Sequence, residues 1–225
     1  LPAGSIAATR EMLSNLRRWS SKGPEGVPSQ ADAPRGDEPV VPSRALPKFL
    51  SALGLRETPV LLDFGPVIGS NVSFFGERLG CKLFIEDLFV DLARHSRAGT
   101  PEALPDTLAR RFRHEDQMVD GVLCWDFFDY LDKHAAQSLA KQIVRMLRPG
   151  GAVMGFFCTA AAQHAAFMKY EIADDQSLRH RHHAGAGAAK HVLLNRDIIK
   201  MFDGLIVSDS FLLKSNTREI LLRRR

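Results

Sequence analysis

Residues 59–88, PVLLDFGPVIGSNVSFFGERLGCKLFIEDL, decide the fold. The apolar run at 60–62 ends on an acid, Asp63, and the chain turns at once through Gly65, Pro66 and Gly69. A buried strand that empties into a ligand-sized loop has this pattern. Ser70 or Asn71 then offers an N-cap for a helix running to Leu79, which Gly80 stops. A second apolar run, 83–85, ends on Glu86, with Asp87 after it. Strand, glycine turn, helix, strand and acid form the first half of a nucleotide-binding α/β unit. The helix N-terminus presents free N–H groups, and the second acid can accept hydrogen bonds from a ribose diol.

The turn separates two cofactor classes. A dinucleotide fold calls for Gly-x-Gly-x-x-Gly, so that the backbone can approach a pyrophosphate. The corresponding residues are Gly65, Val67 and Ser70, and Asp63 would repel the phosphates. An acid suits a cationic cofactor without phosphate. Residues 63–69, Asp-Phe-Gly-Pro-Val-Ile-Gly, resemble the Asp-x-Gly-x-Gly-x-Gly motif of the class I S-adenosylmethionine-dependent methyltransferases, with Val67 in place of the middle glycine. Val67 is expected to bring a side chain into the space that this glycine leaves, and Pro66 removes a backbone donor.

Two further motifs carry the resemblance. Residues 119–126, VDGVLCWD, read as a buried strand introduced by an acid and ending on Trp125 and Asp126. Asp132 is placed to cap the next helix, in which Ala136, Leu139, Ala140, Ile143, Val144 and Leu147 recur at helical spacing. Leu-Arg-Pro-Gly-Gly at 147–151 then stops the helix and leads into an apolar strand over 152–157. These match the fourth and fifth strands of the same family in order and separation. The third strand belongs between residues 108 and 114, where Arg110, Arg111 and Arg113 make the run poorly apolar. Beyond it, residues 159–170 read as helical. Residues 179–183, RHRHH, read as a solvated basic loop, because His180 and His183 have no carboxylate or thiolate motif beside them to make a metal site. Asn195 is placed to cap a helix through Phe202, and residues 205–214 and 218–222 form a closing hairpin.

The resemblance therefore implies an α/β fold, a Rossmann-like three-layer sandwich. Its sheet would be mostly parallel and seven-stranded, with an antiparallel C-terminal hairpin strand. Residues 45–225 would form this methyltransferase-like domain. Residues 1–44 read as a flexible tail with a short basic helix over 6–19 and a Pro-rich linker.

Composition bounds the class. The 225 residues are 45% hydrophobic, enough for one full core. Cys81, Cys124 and Cys158 match no metal or redox spacing, so they read as reduced core thiols of a cytoplasmic protein. No apolar run reaches the roughly 18 residues that a membrane helix needs. The net charge of +4 is mild and concentrated C-terminally, with 10 Lys/Arg against 7 Asp/Glu in residues 170–225, which argues against a nucleic-acid partner.

By the resemblance, the cofactor is S-adenosyl-L-methionine, held by Asp63, Gly65, Pro66, Val67, Gly69, Glu86, Asp87, Cys124, Trp125 and Asp126. Asp63 would place the amino group and Glu86 the ribose, with Asp87 as the alternative one residue on. Residues 124–126 would line the side from which the methyl group leaves. Asp126, Asp129 and Tyr130 are the candidates to orient or deprotonate an acceptor. A small-molecule acceptor is expected first and a protein side chain second. A catalytically silent binding or scaffold protein on the same fold is the alternative, and a nicotinamide-dependent oxidoreductase is disfavoured by the missing glycines.

Overall fold

The structure is a computed structural model, and it describes residues 38–225. The basic helix expected over 6–19 lies outside the described residues. Within the span read as a linker, Val40–Pro42 forms a short strand, β1. Helix α1, Ala45–Leu53, follows and buries Leu46, Phe49 and Leu53. Its N-terminus is capped from the far end of the chain, because Glu219 accepts hydrogen bonds from the Arg44 and Ala45 N–H groups at 2.8 and 2.9 Å.

The strand–turn–helix–strand unit over residues 60–85 forms largely as expected. Strand β2, Val60–Asp63, is fully buried. It passes through the turn into α2, Gly69–Val72, which widens into a π-helical stretch, Ser73–Arg78, before Gly80 turns at φ +64°. Neither Ser70 nor Asn71 caps this helix. Strand β3, Lys82–Ile85, lies parallel to β2, and Asp87 caps α3, Leu88–Ala98, by accepting from Phe89 N–H.

The third strand is absent among the described residues. Its segment forms α4, Leu104–Arg111, followed by extended chain. The arginines that spoil a strand serve a helix: Arg111 reaches Glu86 at 2.9 Å and Asp91 at 3.1 Å. Strand β4, Val119–Trp125, is buried throughout, and a 3-10 turn, Phe127–Tyr130, leads to α5, Lys133–Met146, capped by Asp132. Strand β5, Leu147–Cys158, lies parallel to β4. Asp120 ties the opposite ends of this region together, accepting from Val60 N–H at 2.8 Å and pairing with Arg148 at 3.2 Å.

After β5 the chain departs from expectation. The segment read as helical is β6, Ala162–Asp174, and the basic run lies in β7, Ser177–Lys190. The two pair antiparallel, and β1 pairs with β7, giving a separate three-stranded sheet. An Ala-rich run has good helix propensity, but hairpin pairing with β7, the next strand in the chain, overrides it. Strand alternation also explains the basic run. Leu178 is buried and the His180 ring packs against Tyr170 and Phe156, while Arg179 and Arg181 turn out to Glu171 at 3.3 and 3.0 Å. Among the described residues no cluster of His, Cys, Asp and Glu is arranged to hold a metal.

Helix α6, Asn195–Met201, leads to β8, Leu205–Leu212, and β9, Thr217–Arg224. The main sheet has the order β3-β2-β4-β5-β9-β8, so six strands replace the expected seven. β9 runs antiparallel between β5 and β8. One face of the sheet packs on α3 to α6, the other on α1 and on Tyr170, Ile172 and Leu178 of the small sheet. No described helix is long and apolar enough to cross a membrane.

Candidate functional site

The carboxyl ends of β2, β3 and β4 bring Asp63, Glu86 and Asp126 to one edge of the sheet. Asp63 is 2% exposed and accepts two hydrogen bonds on one oxygen, from Gly65 N–H at 2.8 Å and Trp125 Nε1–H at 2.6 Å. Burial pushes its carboxyl up to about 6, against the pull of those two donors. Trp125 adopts φ +49°, a left-handed conformation that a bulky side chain enters only when its surroundings hold it there. Its ring stacks on Tyr170, with centroids 5.3 Å apart and planes 3° from parallel, and Phe156 stacks on Tyr170 at 4.9 Å.

Trp125 also explains Gly65. A Cβ there would meet Trp125 Nε1 at 2.8 Å, so only glycine lets the indole close over the turn. Val67, expected to crowd the site, is instead 60% exposed at the surface of the turn. The residue that fills the turn is Trp125. Cys124 alternates to the other face and is buried in the core, where burial and the nearby Asp63 raise its thiol well above the ordinary range.

The small sheet roofs this edge. Asn71 fastens it with two main-chain bonds, donating to Tyr170 C=O at 2.9 Å and accepting from Ile172 N–H at 2.8 Å. Ser70 donates to Glu171 at 2.9 Å, and Arg78 pairs with Asp175. Glu86 is engaged by Arg111. Asp87, rather than Glu86, lines a cavity of about 200 Å³ between α3 and β6, together with Pro66, Phe89, Val90, Arg97 and Phe167.

Neither a family model nor a curated protein matches the chain. Solved structures similar to it include the CcbJ methyltransferase from Streptomyces caelestis, 14% identical with a TM-score of 0.49, covering 89% of this chain and 100% of that one. The PH0226 protein from Pyrococcus horikoshii OT3 is 13% identical with a TM-score of 0.48, covering 81% and 91%. The glycopeptide N-methyltransferase MtfA, complexed with S-adenosyl-L-methionine, is 12% identical with a TM-score of 0.46, covering 89% and 100%. In this chain's own sheet, four parallel strands are followed by a terminal hairpin whose last strand inserts antiparallel. This is an α/β fold whose main sheet mixes parallel and antiparallel strands.

In this fold the second acidic group lies just past β4. Asp126 and Asp129 are each 1% exposed. Tyr130 donates to Asp126 Oδ2 at 3.2 Å, and Cys158 N–H donates to Asp129 Oδ1 at 2.9 Å. Lys190, at the end of β7, reaches Asp126 at 2.8 Å and Asp129 at 3.4 Å. Burial pushes Asp129 up to about 6, although Lys190 opposes the rise. For Lys190 the burial penalty is outweighed by the two acids, which raise it above the usual lysine range. The structure thus brings Asp126, Asp129 and Tyr130 together as a cluster, with the Tyr130 hydroxyl pushed far up by burial and Asp126. Sequence reasoning missed Lys190, Tyr170 and Asn71. No local signal marks them, because each acts across a long separation: 64 residues from Lys190 to Asp126, 99 from Asn71 to Tyr170 and 45 from Tyr170 to Trp125.

Proposed function

We propose that the chain is an S-adenosylmethionine-dependent methyltransferase acting on a small-molecule acceptor. The observation that carries this reading is the convergence of Asp63, Asp87 and Asp126 at the carboxyl ends of consecutive parallel strands. It occurs beside a cavity lined by Pro66 of the turn and by Asp87. Asp63 suits the cationic amino group of the cofactor, since its carboxylate already gathers N–H donors. Asp87 takes the ribose in place of Glu86, which Arg111 holds. The turn of residues 65–69 cradles the methionine portion, and Asp126 faces the departing methyl. When bound, the cofactor supplies an electrophilic methyl group on sulfonium. The chain's part is to hold an acceptor in line with it and exclude water.

One observation favours a second reading. Trp125 occupies the space over Gly65, and the cavity of about 200 Å³ is smaller than the roughly 300 Å³ at which small-molecule pockets begin. For the first reading the Trp125–Tyr170 stack must yield to the methionine end. If it does not, the chain is a catalytically silent binding module on a methyltransferase fold.

Calorimetric titration with S-adenosylhomocysteine decides between them in part, with NADH as the control and Asp87→Ala and Glu86→Ala alongside. The proposal expects saturable binding of S-adenosylhomocysteine alone, weakened more by Asp87→Ala than by Glu86→Ala. No binding at any usable concentration would overturn it and leave the silent module. Binding lost only in Glu86→Ala would keep the cofactor and return the ribose to Glu86.

A further inference from the structure

A cavity of about 390 Å³ lies between the start of α5, the segment 191–193 that follows β7, and α6. It exceeds the roughly 300 Å³ at which small-molecule pockets begin, and it shares no lining residue with the cavity beside Pro66 and Asp87. The fold sets its position. Residues 131–133 lie past the carboxyl end of β4, and Cys158, at the carboxyl end of β5, donates through its thiol to His191 C=O at 3.4 Å. Ligands of open α/β sheets lie outside such strand ends. The wall at 191–193 is also pinned from the main fold: His191 N–H donates to Asp129 C=O at 2.6 Å, and Arg218 of β9 donates to Leu193 C=O at 2.8 Å.

The lining combines an apolar floor with a charged rim. Leu131, Leu193 and Met201 are buried, Lys133 and Lys200 are exposed, and Asp197 is half-buried. Asp197, Lys200 and Met201 come to one side of α6 by their spacing of three and four residues. Among the described residues, Lys133, Lys200 and Asp197 make no side-chain hydrogen bond or ion pair. The other acid of the rim, Asp132, is committed to capping α5, where it accepts from Ala135 N–H at 2.8 Å. The groups left for an occupant are therefore two ammoniums, one carboxylate and an apolar floor. A simple anion would meet the lysines but also the like charge of Asp197, and a simple cation would face both lysines. A zwitterion with an apolar body complements all of them.

We propose that this cavity binds a free α-amino acid with an aliphatic side chain. The amino acid's carboxylate is met by Lys133 and Lys200, its ammonium by Asp197, and its side chain by Leu131, Leu193 and Met201. The site is one of non-covalent binding and does not depend on the methyltransferase reading.

The test follows amide proton–nitrogen correlation spectra of the full chain as L-leucine is added. Two comparison compounds divide its chemistry: isocaproate lacks the ammonium and isoamylammonium lacks the carboxylate. L-leucine is expected to give saturable shifts centred on residues 131–137 and 191–201, and each comparison compound to bind about tenfold more weakly. Asp197→Asn should weaken L-leucine by about tenfold and leave isocaproate unweakened. Lys133→Gln combined with Lys200→Gln should weaken both L-leucine and isocaproate and leave isoamylammonium unweakened. None of these three side chains is buried or paired with another described residue, so the variants are expected to fold, which their spectra away from the cavity report. No saturable shift up to the solubility of L-leucine, or shifts confined to other residues, overturns the proposal. Either comparison compound binding as tightly as L-leucine overturns it as well, as does an unchanged L-leucine affinity in the variants. The titration with S-adenosylhomocysteine reads the other cavity, so either reading can fail while the other stands.

Discussion

Burial and hydrogen bonding pull the Asp63 carboxyl in opposite directions, and burial prevails. The folded chain therefore holds a proton on Asp63 up to about pH 6, while the unfolded chain releases it near the ordinary aspartate value. Between these values the native state binds more protons than the unfolded state, so stability falls as pH rises and levels off above pH 6. Asp129, also pushed up to about 6, acts in the same direction. A shift of this size corresponds to as much as about 3 kcal/mol per group. Asp63→Asn keeps an oxygen for Gly65 N–H and Trp125 Nε1–H but carries no charge. Denaturant unfolding of wild type and Asp63→Asn between pH 4 and 8 should show the variant losing less stability over pH 4 to 6 and at least matching wild type at pH 8. A variant with the same pH slope as wild type would remove Asp63 from this account.

At the scale of elements, the small sheet depends on a few anchors. Asn71 supplies both of the hydrogen bonds that join α2 to the main chain of β6. Asn71→Ala leaves a buried C=O and a buried N–H without partners, which costs about 1–3 kcal/mol for each group left unpaired. The loss should be local. Hydrogen exchange is expected to quicken in β6 and β7 while β2, β4 and β5 keep their protection, and uniform quickening would contradict a separately anchored sheet. At the other edge, Arg111 joins α4 to Glu86 and to the buried Asp91, which Arg94 also reaches at 2.9 Å. Arg111→Ala is expected to lower stability by about 2 kcal/mol, with Arg94 covering part of the loss at Asp91. The midpoint of urea unfolding reports it.

For the molecule as a whole, the six-stranded sheet separates two cores, and at Gly121 of β4 the side chains of α1 pack closely against the sheet. A Cβ there would meet Leu53 Cδ2 at 2.6 Å and Phe49 Cζ at 2.9 Å. Gly121→Ala crowds Leu53, Phe49 and Leu61, so it should destabilise the whole domain by about 1–3 kcal/mol, as overpacked cores do. Its denaturation midpoint should fall with no change in slope, since the same surface is exposed on unfolding. A change confined to the small sheet's exchange rates would show that the two cores are not one cooperative unit.

The sequence by itself determined the strands and turns whose signals are local. Val60–Asp63 and Val119–Trp125 are short buried runs closed by acids, Asp132 caps its helix within three residues, and Arg-Pro-Gly-Gly at 148–151 follows the end of that helix, in the opening stretch of the next strand. These, in order, led the sequence reading to Asp63, to Glu86 with Asp87 as the alternative, and to Asp126 as the acids at the strand ends. Tertiary structure decided the rest, where local preference is weak or points elsewhere. Residues 162–174 are rich in helix-forming alanine and become a strand only because β7 lies beside them. Arg111 turns a missing strand into a helix whose charge meets Glu86. Trp125, rather than Val67, closes the turn because Tyr170 arrives to stack on it from 45 residues away. Lys190 meets Asp126 across 64 residues. Contacts at such separations depend on how packed layers bring chain ends together, and no window of local sequence contains them.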